Sequence, residues 1–157
     1  KTIVAYAGQQ KILEVGAGLG FWASHLQDEG VDITPTDLSL SNNQYIGENA
    51  KPYTKVTEVE AEIAVREIEH DILMMIWPPY GDIMAYRSLK RTPANKLIYV
   101  GEWNGGCCAD TEFFNELRDH WDLVTSCEIP QWEGIHDALY IYERKAHVSN
   151  SRADQSN

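Results

Sequence analysis

The chain has 157 residues, 43% of them hydrophobic and 24% charged, which suits one globular domain with its own core rather than a disordered or fibrous polymer. Asp and Glu number 24 against 13 Lys and Arg, a net charge of -11, so unaided binding to a nucleic-acid backbone, which wants a basic face, is not expected. No apolar run approaches the roughly 18 residues of a membrane span, and Cys107, Cys108 and Cys127 show neither zinc-ligand spacing nor an even-numbered disulfide framework.

Lys11–Gly16 (KILEVG) is a short apolar run that predicts a strand. Leu19, Trp22, Ala23 and Leu26 then recur at helical spacing, and Gly30 stands where a helix ends on a left-handed residue. Val31–Asp37 (VDITPTD) alternates as a second strand, with Pro35 near its end, where a missing N–H is tolerated. The polar stretch 39–52 is ambiguous. Tyr53–Val59 predicts a weak third strand, and Ala61, Ala64, Val65 and Ile68 mark the apolar face of the helix after it.

The apolar run that begins at Asp71 (DILMMI) predicts a fourth, buried strand, and it stops in Trp77-Pro78-Pro79-Tyr80. A short helix near Ile83–Lys90, a breaker at Thr92-Pro93 and an apolar strand Lys96–Gly101 follow. Asp110 is placed to cap a helix carrying Phe113, Phe114, Leu117 and Trp121. Leu123–Ile129 and Asp137–Tyr142 alternate around the turn material Pro130–Gly134, which reads as an antiparallel hairpin. Strands alternating with helices and then a hairpin predict an α/β, three-layer sandwich around a mostly parallel sheet. One domain is expected over 1–145 and a disordered polar tail over 146–157. No secretory signal is read at the start, which opens on Lys1 rather than Met and leaves room for a preceding segment. A cytoplasmic setting is expected, with a nuclear one open.

The first strand-to-helix junction reads Glu14-Val15-Gly16-Ala17-Gly18-Leu19-Gly20. Glycines there let the backbone turn sharply and let a ligand approach just before a helix N-terminus. A dinucleotide fingerprint needs G-x-G-x-x-G. Here the residue three beyond Gly18 is Phe21, which disfavours nicotinamide binding. An acidic residue in the strand followed by G-x-G-x-G instead resembles motif I of the class I S-adenosylmethionine-dependent methyltransferases, over most of the chain. The resemblance implies a Rossmann-like, seven-stranded sheet with an antiparallel terminal hairpin, S-adenosyl-L-methionine as cofactor and S-adenosyl-L-homocysteine as product. It further implies that Gly16, Ala17, Gly18 and Gly20 hold the methionine part, and that Glu14 braces the loop or meets the amino group through water. Asp37, ending the second strand, would accept from the ribose hydroxyls. Glu60 and Ala61 would meet the adenine, although Glu58-Val59 fits that place nearly as well.

Trp77-Pro78-Pro79-Tyr80 resembles motif IV, Asn/Asp-Pro-Pro-Tyr/Phe, of the amino-methyltransferases. Prolines lack N–H, so such a corner offers carbonyl acceptors at fixed φ, and the closing aromatic stacks on a flat substrate. Trp77 departs from the pattern, because indole is a donor only. The resemblance thus implies catalytic or substrate-binding roles for Trp77, Pro78, Pro79 and Tyr80 toward a flat amine-bearing or other small acceptor, with an exposed base or side chain presented by a partner also open. Glu102, after the fifth strand, could orient the acceptor, and His136 beside Asp137 is a candidate general base. No metal site is expected, and a dimer or partner subunit stays open. The rival reading is a cofactor-holding but inactive regulatory subunit, which Trp77 in the acceptor's place favours.

Overall fold

The computed structural model describes residues 1–38, 40 and 50–146 of the chain. In chain order the elements are α1 (Thr2–Ala7), β1 (Ile12–Val15), α2 (Phe21–Asp28), β2 (Ile33–Asp37), β3 (Thr57–Glu58), α3 (Ala61–Glu67), β4 (Ile72–Ile76), α4 (Met84–Arg91), β5 (Lys96–Gly101), α5 (Thr111–His120), β6 (Trp121–Glu128) and β7 (Ala138–Arg144). The strands form one sheet in the order β3-β2-β1-β4-β5-β7-β6. Every pair from β3 across to β5 is parallel, and β7 pairs antiparallel with both β5 and β6. The expected α/β sandwich with a terminal antiparallel hairpin is the observed one.

The inner strands are short and apolar because both of their faces are covered. Leu13, Val15, Leu73, Met75, Leu97 and Tyr99 face a core closed by α3, α4 and α5, while Ile12, Ile72, Met74, Ile98 and Val100 face a second core under α1 and α2. Successive residues of one strand thus belong to opposite layers, as the pleat requires. Asp110 starts α5 as expected, accepting from the Phe113 amide at 2.9 Å. Phe113 is fully buried against Tyr99 and Phe114. Phe113→Ala is therefore expected to lower stability by about 3–5 kcal/mol in urea unfolding.

Three expectations need correction. Trp121 lies on the helical repeat of α5, but its backbone is already extended and it opens β6, buried beneath the Arg144 guanidinium. The chain passes from helix to strand without a loop, so the apolar spacing runs on past the helix. The third strand contracts from the expected Tyr53–Val59 to Thr57–Glu58, both exposed at the sheet edge, where among the described residues only β2 pairs with it. The helix α1 was not expected at all; Ile3 and Ala7 anchor it to the second core. The ambiguous stretch 39–52 and the tail 146–157 lie largely outside the described residues. Among the described residues no helix is long and apolar enough to cross a membrane.

Candidate active site

The carboxyl ends of β1, β2 and β4 open onto one cleft of about 1030 Å³. Its first wall is the loop after β1. Gly18 is left-handed (φ 55°), and a Cβ built on it would meet nothing within 4 Å, so the side of its Cα where a Cβ would stand is open. Gly20, at the N-terminus of α2, is left-handed as well, and there a Cβ would stand 2.9 Å from Val56 Cγ2. Two bonds fix the loop to β2: the Ala17 amide donates to the Thr36 carbonyl at 2.9 Å, and the Gly18 amide to Asp37 Oδ2 at 2.8 Å. Gly16, Gly18 and Asp37 line the cleft.

Glu14 sits inside β1 and is only 2% exposed. Its Oε2 has no hydrogen-bond partner among the described residues. Burial first, and the nearby Asp37 charge second, push its carboxyl up to about 8. Both alternatives named for the adenine side reach this wall in part. Val59, Glu60 and Ala61 line the cleft, whereas Glu58 pairs with Asp37 in the sheet and accepts from the Leu40 amide.

Trp77, Pro78, Pro79 and Tyr80 line the cleft from the end of β4. Trp77 is left-handed (φ 48°), a conformation rare for a bulky residue and costing roughly 1–3 kcal/mol. Its amide donates to the Val100 carbonyl at 2.7 Å and its indole Nε1 to Asp137 Oδ2 at 2.9 Å. The Pro78 carbonyl accepts from the Ala109 amide at 3.0 Å, and the Pro79 carbonyl from Asp82 at 3.3 Å. Of the carbonyls at residues 77 to 79, that of Trp77 alone accepts no hydrogen bond from the described residues. Tyr80 is 74% exposed at the rim.

Two expected catalytic residues do not line this cleft. Glu102 is buried, and both of its oxygens are taken by backbone: Oε2 by the Cys107 amide at 2.7 Å and Oε1 by the His136 amide at 2.9 Å. Those bonds hold its carboxyl below the usual range and make it a brace between two loops. The close fit extends to Gly106, where a Cβ would lie 2.4 Å from Glu102 Cβ. His136 is exposed, and its expected partner Asp137 is engaged by Trp77 instead.

Several lining residues were not singled out from the sequence. Phe21 and Tyr53 meet edge-on with ring centroids 5.3 Å apart, because the Tyr53 amide donates to the Leu19 carbonyl and brings that segment over the glycine loop. Met84 and Arg87 enter from α4, and Arg87 Nη1 lies 3.1 Å from Glu62 Oε1, a carboxylate it shares with Arg91. Cys107 enters from the loop that Glu102 braces. The position of Ile83-Met84 directly after the proline corner was a usable signal; nothing local marked Phe21 or Cys107. Among the described residues no group of acidic, His and Cys side chains could hold a metal.

This sheet order is that of the fold of the S-adenosylmethionine-dependent methyltransferases. Solved structures of that kind superpose on nearly the whole chain. A TehB-like S-adenosylmethionine-dependent methyltransferase from Corynebacterium glutamicum is 20% identical over 91% of this chain and 85% of its own, with a TM-score of 0.57. The 1,6-didemethyltoxoflavin-N1-methyltransferase of Burkholderia thailandensis, solved with its substrate and S-adenosylhomocysteine, is 16% identical over 92% of this chain and 76% of its own, at 0.61. Magnesium protoporphyrin IX methyltransferase from Synechocystis, solved with S-adenosylmethionine, gives 8% over 92% and 75%, at 0.59. No protein-family model and no curated protein sequence matches the chain. At these identities the likeness is one of fold.

Proposed function

We propose that the chain is an S-adenosylmethionine-dependent methyltransferase whose acceptor is a flat, amine-bearing or other small molecule received at the Trp77–Tyr80 corner. The observation that carries this reading is the glycine loop pinned to Asp37, with the buried, unpartnered Glu14 oxygen behind it and open space before Gly18. A ligand with a charged amino group and a ribose suits that set. Gly16 and Gly18 would take the methionine part, Asp37 the ribose, and Val59, Glu60 and Ala61 the base. When bound, the cofactor supplies an electrophilic methyl group on a positively charged sulfur. The chain's own part is to orient a nucleophile and exclude water. Tyr80 and Trp77 offer flat surfaces, and the Trp77 carbonyl can accept an N–H or O–H. Among the described residues Asp37, Glu60, Glu62 and Asp82 line the cleft against the single cation Arg87, which suits a neutral or positively charged acceptor over an anion. Glu102 positions loops rather than reacting groups in this reading.

Calorimetric titration with S-adenosylhomocysteine and, separately, NAD tests the reading. Binding of the first in the micromolar range and none of the second is expected, with Asp37→Ala weakening the first by about tenfold or more, the loss of a charge-assisted bond. NAD binding without S-adenosylhomocysteine binding overturns the proposal. Tight cofactor binding without methyl transfer to any member of a panel of flat amines, phenols and oligonucleotides would instead favour a non-catalytic binding subunit.

A further inference from the structure

Two features at the corner are unfavourable by themselves, and they meet in one hydrogen bond. Trp77 holds a left-handed backbone that few bulky residues adopt. Asp137 is 7% exposed, and its Oδ1 is buried without a partner among the described residues. The bond from Trp77 Nε1 to Asp137 Oδ2, 2.9 Å, joins them across the sheet, from the end of β4 to the residue before β7. The Asp137 end is itself held: Gln131 Nε2 donates to its carbonyl at 2.6 Å, and the neighbouring His136 amide is fixed by Glu102. A core tryptophan serving packing alone would be buried; Trp77 is 37% exposed and lines the cleft.

Resting on the methyltransferase reading, we propose that Asp137 is a positioning residue of the acceptor site. Its carboxylate fixes the plane of the Trp77 indole so that the ring is a rigid wall against which a flat acceptor lies. Because the indole N–H is consumed by Asp137, the side chain at this place offers the acceptor a π-face and no donor. Polar contact at residue 77 then falls to its main-chain carbonyl. The site so built selects planar aromatic acceptors over non-planar saturated ones, as stacking without donor readout does.

The test uses the whole chain carrying 5-fluorotryptophan at its five tryptophans, with the Trp77 fluorine resonance assigned by loss in Trp77→Phe. The probes are S-adenosylhomocysteine, 4-aminoquinoline as a planar amine, and cyclohexylamine as its non-planar counterpart. Asp137→Ala is expected to shift and broaden the Trp77 resonance and to weaken 4-aminoquinoline binding to the S-adenosylhomocysteine complex by about tenfold. Its S-adenosylhomocysteine affinity should stay close to the wild-type value. Asp137→Asn keeps an acceptor oxygen and is expected to restore both the single sharp resonance and the probe affinity. In the Trp77→Phe background, which has no indole donor, Asp137→Ala should add little. An unchanged Trp77 resonance in Asp137→Ala, or wild-type binding of cyclohexylamine as tight as that of 4-aminoquinoline, overturns the inference. Failure of wild type to bind S-adenosylhomocysteine overturns the underlying methyltransferase reading instead, so the two failures are distinct.

Discussion

Gly18→Val is expected to abolish S-adenosylhomocysteine binding, raising Kd by at least about 100-fold, while the protein stays folded. The two halves of that result have separate causes. A left-handed backbone at residue 18 costs an L-residue roughly 1–2 kcal/mol, more for a β-branched one, which a folded domain can absorb. The new Cβ meets no heavy atom within 4 Å, so the fold raises no steric objection. Gly18 lines the cleft, and on the proposed function the ligand comes close to its backbone there. Gly20→Val is the contrasting variant. Its Cβ would lie 2.9 Å from Val56 and 3.0 Å from Thr54, so folding should suffer before binding is reached. Circular dichroism and thermal melting beside calorimetry separate the two. Undiminished binding by a folded Gly18→Val protein would reduce the loop to a tight turn and remove the cofactor from the proposal.

The sheet was legible because β1, β4 and β5 are apolar runs bounded by polar or turn residues, which strands buried on both faces can be without alternating, and because β2 alternates. The terminal hairpin announced itself through alternation and the Pro130–Gly134 turn. Where apolar residues served two elements in succession, as from Leu117 to Trp121, periodicity alone could not place the boundary. The glycine-loop wall of the cleft was legible for a related reason: its residues are consecutive, and their left-handed positions favour glycine for local steric causes. The contact behind the Trp77 corner was not. Trp77 and Asp137 are 60 residues apart in sequence, and their bond depends on β7 lying beside β5. Glu102 looked like an acid waiting for a substrate because the two amides that occupy it come from loops whose courses no local pattern fixes.

Glu14 carries the second large expectation, a loss of stability as the pH rises that Glu14→Gln removes. The folded protein holds this carboxyl at about 8, above its ordinary value of 4.5, because burial and the Asp37 charge penalise the ionised form. Between those two values the native state binds a proton that the unfolded chain has released, so stability falls with each step upward in pH and levels off above about 8. The contribution is fully present below 4.5 and lost through 8. At about 1.4 kcal/mol per pKa unit, a shift of this kind amounts to a few kcal/mol, enough to lower Tm visibly between pH 6 and 9. Glutamine has the same shape and no charge to form, so its melting temperature should be flatter across that window. Asp37→Ala should flatten it in part, by removing the second cause. A cationic amino group brought near the unpartnered Oε2 would reverse the preference and favour the ionised form. Binding of S-adenosylhomocysteine at pH 7.5 should therefore release protons, measured as a dependence of the binding enthalpy on the ionisation enthalpy of the buffer. The release that Glu14 contributes should disappear in Glu14→Gln. If wild type and Glu14→Gln share one stability profile from pH 6 to 9, the carboxyl is not held neutral in the free protein. If stability behaves as expected but both proteins release the same number of protons on binding, Glu14 braces the glycine loop and does not meet the ligand.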